Sequence, residues 1–232
     1  MDHMQFYLPI AAPFFLILAG LFVLLVILVQ VNILRYAYER LGVSSGSALL
    51  LLLASLIGSY INIPVWQFPG EVARTAQEVV VYFGVPYVVP VMEQSGTVVA
   101  VNIGGAVIPT VLSLYLLARN DLWGAGIITT AVVTAVVHAM AEPVQGVGIA
   151  VPVLVPPVVA AITAVLTARR RAAAVAYAGG SLGTLIGADL LNLDAVRGLG
   201  APFASIGGAG TFDGIFLTGV VAVLLASLSR RA

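Results

Sequence analysis

The chain contains no cysteine and no lysine, and only 9% of its 232 residues are charged. Without cysteine there are no disulfides, no thiolate metal sites and no cysteine nucleophile. The ten acids are balanced by ten cations, all of them arginine, so the net charge is zero. No basic tract or basic face is present to hold a phosphate backbone, which argues against nucleic-acid binding. What the chain has in excess is apolar surface: 61% hydrophobic residues and a mean hydropathy of +1.11. Soluble domains carry roughly 25% charged residues. A soluble fold of this length has too little interior to hide so much apolar surface, so lipid must cover the rest. The expected class is an all-α integral membrane protein, a single transmembrane domain over 1–232, with the bilayer as its first partner.

Apolar runs bounded by charged or turn residues predict about seven spans, at 6–34, 46–63, 98–118, 121–141, 151–168, 172–192 and 206–229. The second and fifth are short or proline-broken, which leaves six or eight crossings open. The run 6–34 is too long for a signal-peptide core and has no cation before it, so it reads as a retained helix that exports its own N-terminus. With the N-terminus outside and the C-terminus inside, Arg35, Arg40, Arg119, Arg169, Arg170, Arg171, Arg230 and Arg231 are cytoplasmic, and only Arg74 and Arg197 lie outside. The positive-inside rule expects this split, and the mirror topology inverts it. The setting is a prokaryotic cytoplasmic membrane.

Between the second and third spans, EVVVYFGVPYVVPV (78–91) and TVVAVNIGG (97–105) are rich in valine and aromatics around Gly84-Val85-Pro86. They predict an extracytoplasmic β-hairpin; Pro86 and Pro90 resist the alternative, a re-entrant helix.

Three short similarities recur in order. Pro9-x3-Pro13 matches Pro152-x3-Pro156, Leu56-Ile57-Gly58 matches Leu185-Ile186-Gly187, and Ile103–Ala106 matches Ile206–Ala209. They suggest a 3+1+3 parallel repeat with halves 6–118 and 151–229 and a linker helix over 121–141, an arrangement known among secondary transporters.

Polar side chains inside membrane segments are costly and point to function. On the predicted topology Asp189, Asp213, His138, Asn102 and Asn62 gather at one depth toward the outer face, with Glu142 near them. They are the candidate binding residues, and Asp189, Asp213 and His138 are the candidate metal ligands. The structural alternatives stay open. Asp213 could accept from backbone amides at a helix start, Asp189 could reach outward to water, and His138 could be a packed helix histidine. Asn62 and Asn102 could satisfy broken backbone near Pro64 and Gly104-Gly105, while Glu142 and Asp194 read as interfacial acids. Gly179, Gly183 and Gly187 form a small-residue stripe, as do Gly210 and Gly214. If these stripes meet, spans six and seven approach closely and Asp189 and Asp213 come together.

LIGSYINIP (56–64), VAVNIGGAVIP (99–109), GVGIAVPVLVPP (146–157), GTLIGADLLNLD (183–194) and GGAGTFDGIFLTG (207–219) resemble a bacterial and archaeal membrane family defined only as a domain of unknown function. The resemblance covers spans two to seven and implies no activity. A weaker one is to intramembrane aspartyl proteases of the presenilin and signal-peptide-peptidase type, which implies Asp189 and Asp213 as a proton-sharing catalytic pair. The chain departs from that pattern at the residues between Gly210 and Asp213, in having no tyrosine before Asp189, and in lacking the Pro-Ala-Leu element. The function expected first is therefore a transporter- or channel-like protein for a cation, a proton or a small polar solute. A membrane-embedded aspartyl hydrolase comes second, and a structural or partner-binding membrane protein third. The sequence names no cofactor, and it admits a homo-oligomer.

Overall fold

The computed structural model describes residues 27, 30–69, 73–82, 85–94, 96–144, 148–197, 203–208 and 214–228. Helix α1 (30–40) is followed by α2 (Ser45–Gly58), which Ser44 caps by accepting from the Ser47 amide at 3.3 Å. Strand β1 (Asn62–Phe68), the hairpin β2 (Ala73–Tyr82) and β3 (Val85–Gln94), and β4 (Thr97–Asn102) come next. A π-helical turn (Ile103–Val107) leads into α3 (Ile108–Asn120), and α4 (Trp123–Met140) follows. After the short pair β5 (Glu142–Val144) and β6 (Gly148–Ala150) come α5 (Val155–Ala168) and α6 (Ala172–Thr184). A second π turn (Leu185–Asp189), a 3-10 turn (Leu190–Asn192) and the short α7 (Leu193–Arg197) extend α6, and β7 (Phe203–Ile206) and α8 (Gly214–Leu228) complete the described chain.

Three helical runs are long and apolar enough to cross a membrane: Ile103–Asn120, Trp123–Met140 and the 42-residue Val155–Val196. Gly46–Gly58 and Gly214–Leu228 are shorter apolar helices. The third run is not one rod. Drawn out straight it would be about 63 Å long at 1.5 Å per residue, roughly twice the hydrocarbon thickness. It reverses instead at Arg169–Arg171, where Arg169 takes φ 34° and ψ −88°. Ala160 thereby comes back to Gly180, where an added Cβ would sit 3.1 Å from the alanine methyl.

Helix α6 is the centre of the bundle, packed by α3, α4, α5 and α8. Its sequence AAAVAYAGGSLGT has eleven of thirteen residues buried, and its small side chains let several backbones approach at once. The stripe Gly179, Gly183 and Gly187 faces α4, where added methyls would meet Thr129, Val133 and the Thr134 carbonyl. This corrects the expectation that the stripe faces the last span. Gly180 is turned toward Thr218 and Ala222 of α8, and Gly219 of α8 receives Tyr177 and Ser181.

Hydropathy misplaces several helix ends, because an apolar strand and an apolar helix look alike to it. Residues 98–102, expected in span three, are the strand β4. Helix α2 ends at Gly58 and not at 63, and Phe203–Ile206 is a strand. The β-branched run Thr97-Val98-Val99 suits a strand buried on both faces. Indeed β4 is central, antiparallel to β1 and parallel to β7. The expected hairpin is present, but it is formed by Ala73–Tyr82 and Val85–Gln94 across Tyr82↔Val85, without the 97–105 run. The two Ile-Gly-Gly-Ala motifs differ locally. Gly104 and Gly105 enter a π turn, whereas Gly207 and Gly208 take φ 87° and 78° and follow Ile206, which pairs with Val101.

One end of the bundle is cationic. Arg35 and Arg40 close α1, Arg119 closes α3, and Arg169–Arg171 form the α5–α6 reversal, with Arg171 donating to the Asn120 carbonyl at 2.8 Å. At the opposite end of α6 lies the three-stranded sheet. Gly104 is the tightest joint there: a Cβ would fall 2.1 Å from the Ser55 carbonyl oxygen. Gly104→Ala is therefore expected to destabilise by about 3 kcal/mol, the upper range for overpacking. Gly46→Ala, with open space around its Cβ, should be neutral or slightly stabilising. Thermal unfolding of the two variants in detergent checks the contrast, and equal melting temperatures would contradict the packing.

Candidate functional site

The sheet end assembles the polar residues of the inner chain. Asn102 is fully buried at the end of β4, where the chain turns into the π helix. Its Oδ1 accepts from the Gly105 amide at 2.8 Å, and its Nδ2 donates to the Ser59 carbonyl at 2.8 Å and to Asn62 Oδ1 at 3.1 Å. One side chain thus satisfies backbone groups left open where α2 stops and α3 begins. Asn62 Oδ1 also lies 2.6 Å from Ser205 Oγ on β7, which is 2.5 Å from the Gly208 carbonyl; its one proton serves either. Two residues along, the Gly207 amide donates to Asp189 Oδ2 at 2.7 Å. Asn62, Asn102 and Asp189 are in this way tied to one another through β7.

His138 stands apart. It is exposed near the end of α4, with Nδ1 3.4 Å from Asn192 Nδ2. That amide already donates to the Gly187 and Ala188 carbonyls at 2.8 and 3.0 Å, so it has no proton left for the imidazole. Glu142 is exposed at the start of β5. Asp213 lies outside the described residues. Among the described residues no three His, Asp or Glu side chains gather into a metal set.

Sequence reasoning missed a second polar feature, in the bundle interior. The hydroxyls of Tyr38, Ser55, Ser113, Thr129, Tyr177, Ser181 and Thr184 are buried. Tyr38 lies beside Tyr177, ring centres 6.1 Å apart, with Ser55 and Ser181 next to their hydroxyls. The signal was present in the spacing: Tyr177, Ser181 and Thr184 recur at i, i+4 and i+7 and share one helix face.

The π turn gives that face its end. At about 100° per residue, a continued α-helix would leave Asp189 about 120° away from Tyr177. A π turn inserts one extra residue and sets the following chain back by about 100°. Asp189 is thereby returned to the line of Tyr177, Ser181 and Thr184, at the sheet end of a hydroxyl column about 18 Å long.

These features define a helix-rich protein with helices of membrane-crossing length, a central small-residue helix and a polar sheet end. The chain belongs to the protein family of unknown function DUF1614, whose family model matches residues 56–225. No curated protein and no solved structure matches it.

Removing Asn102 should unsatisfy both the Ser59 carbonyl and the Gly105 amide. Asn102→Ala is expected to cost about 1–3 kcal/mol for each, whereas His138→Ala should stay within about 0.5 kcal/mol. Thermal unfolding of both variants measures the difference; a destabilised His138→Ala would mean that His138 carries structure after all.

Proposed function

We propose that the chain is a transporter- or channel-like protein of a prokaryotic cytoplasmic membrane, handling a proton, a cation or a small polar solute. It crosses about seven times, N-terminus out and C-terminus in, with a polar site on the outer side at Asp189 and Asp213. One observation carries the proposal. A column of buried hydroxyls, those of Tyr177, Ser181 and Thr184, runs along α6 and ends at a carboxylate. Burying hydroxyls in a structural core is costly unless every donor and acceptor is paired, and apolar side chains of the same size would remove the cost. Their retention on facing helices suits a path that presents both donors and acceptors to something passing. The gathering of Arg35, Arg40, Arg119 and Arg169–Arg171 at the other end supports the orientation. The parallel pairing of β4 and β7, each leading toward an apolar helix, supports descent of the two halves from a repeat.

Orientation is checked by cysteines at Ser95 and Ala232, which should react with impermeant reagents from opposite sides of intact cells, Ser95 from outside. The activity is checked in proteoliposomes carrying a pH-sensitive dye, with sodium and glycerol flux measured in parallel. Wild type should pass one of the three, and Tyr177→Phe with Ser181→Ala should lower that flux at least tenfold. Asp189→Asn keeps an acceptor for the Gly207 amide but loses the charge, so it should fold normally and lose flux. Flux at the level of protein-free liposomes for all three probes overturns the proposal. Cleavage of a transmembrane peptide in those liposomes, abolished by Asp189→Asn, would move the assignment to the aspartyl hydrolase.

A further inference from the structure

Six arginines close the end of the bundle opposite the sheet: Arg35 and Arg40 on α1, Arg119 on α3 and Arg169–Arg171 at the α5–α6 reversal. The sequence shows no basic face; the fold makes one. The last turns of α1 and α3 share one core through Ala37, Tyr38, Leu112 and Leu116, and Arg171 reaches the Asn120 carbonyl beside Arg119. Among the described residues only Glu39 and Asp121 bring negative charge to this end, and Glu39 pairs with Arg35 at 2.9 Å. Two of the cations are held by neutral partners instead. The Arg119 guanidinium donates to the Tyr115 hydroxyl at 2.7 Å and lies 5.7 Å from the ring centre. Arg40 repeats the arrangement with Tyr36, donating to its hydroxyl with the ring centre 4.7 Å away. A tyrosine fixes the guanidinium but leaves its charge uncompensated and further N–H donors for a ligand. Arg169 is exposed and holds φ 34°, in backbone space that L side chains rarely adopt, although the chain carries 24 glycines. A strained residue other than glycine at a reversal points to a side chain with a task.

We infer that this end binds the phosphate of an anionic phospholipid headgroup, at Arg119 and Arg169 with Arg40 alongside. Guanidinium suits that ligand, since it meets phosphate oxygens with two N–H groups at once, and the chain has no lysine. A zwitterionic headgroup carries its own cation to a cationic surface and gains less. Exposed Tyr36, Tyr115 and Trp123 surround this end, as amphipathic rings do at the level of lipid headgroups. They set the guanidinium groups at the edge of the hydrocarbon, where a lipid phosphate lies and a soluble one does not. The inference rests on the membrane placement proposed above, but it needs neither transport nor a particular orientation.

Quenching by brominated lipid tests it on the full chain in liposomes, because the two tryptophans, Trp66 on β1 and Trp123 on α4, lie at opposite ends. In Trp66→Phe only Trp123 reports. Phosphatidylglycerol brominated in its acyl chains should be preferred there at least fivefold over phosphatidylcholine of the same chains, about the gain from one arginine near an anionic surface. In Trp123→Phe, with Trp66 reporting from the sheet end, the two lipids should quench alike. Arg119→Gln with Arg169→Gly should bring the ratio at Trp123 to about one. Arg169→Gly alone should lower it without lowering the melting temperature, since glycine takes a positive φ freely. Arg197→Gln removes the same charge beyond the far end of α6 and should leave the ratio unchanged. Where a variant does not fold, the two lipids compared at Trp123 in the parent decide the question. Equal quenching there overturns the inference, as does a ratio that falls as far for Arg197→Gln, which would make the effect one of net charge. Loss of the preference on adding inorganic phosphate or a short single-stranded oligonucleotide at physiological salt overturns it in favour of a soluble anion. Absence of quenching by either lipid overturns the membrane placement itself, while absence of flux with the preference intact affects only the transport reading.

Discussion

The close approach of backbones around α6 is the constraint on which everything else rests. A helix made largely of alanine, glycine and serine has a small radius, so α3, α4, α5 and α8 can all reach it. Lipid gives no hydrophobic reward for bringing helices together, so the attraction must come from packing. Each glycine on α6 or opposite it removes a methyl that would otherwise hold two helices apart. The Gly104 joint against Ser55 and Ser59 does the same at the sheet end. Widening the Gly104 joint would pull apart the Asn102 bridge between Ser59 and Gly105 beside it.

Polar groups follow two different rules in this bundle. At the sheet end, Asn102 is satisfied on both its oxygen and its nitrogen, and it pins three elements at once. A few turns away, seven hydroxyls lie buried among apolar side chains. The same low-dielectric surroundings act on both sets. A satisfied network makes one geometry unique, whereas hydroxyls, each both donor and acceptor, can exchange partners. The π turn at Leu185–Asp189 joins the two regimes, because it sets the carboxylate in line with the hydroxyls while Gly207 holds it from the side.

The apolar helices are legible in the sequence because their length and composition leave few alternatives; α4 lies within a few residues of its expected limits, and α6 fills 172–192 only together with the π and 3-10 turns that extend it. The hairpin is legible from valine runs meeting near a glycine. The three-stranded sheet is not, since Thr97–Asn102 reads both as a strand-like run and as the start of a span, and its pairing with Phe203–Ile206 joins distant parts of the chain. Asn62, Asn102 and Asp189 stand out as polar residues in apolar surroundings, and the structure brings them to one end. His138 stands out by the same rule, but it is exposed and at the margin. The hydroxyl column escapes notice because tyrosine, serine and threonine are ordinary in membrane helices. Only the facing of separate helices makes them a group.

The pairing of β4 with β7 also has a consequence in time. Val98 finds its partner Phe203 only after roughly 100 further residues have been made, which takes about 5–20 s at ribosomal rates of 5–20 residues per second. Through that interval one edge of β4 has no neighbouring strand, and α3, α4, α5 and α6 are made before it gains one. The nascent chain thus passes through a long-lived state with an open strand edge. Such an edge is a template for wrong pairing, with other copies of the chain among the possible partners, until β7 closes it.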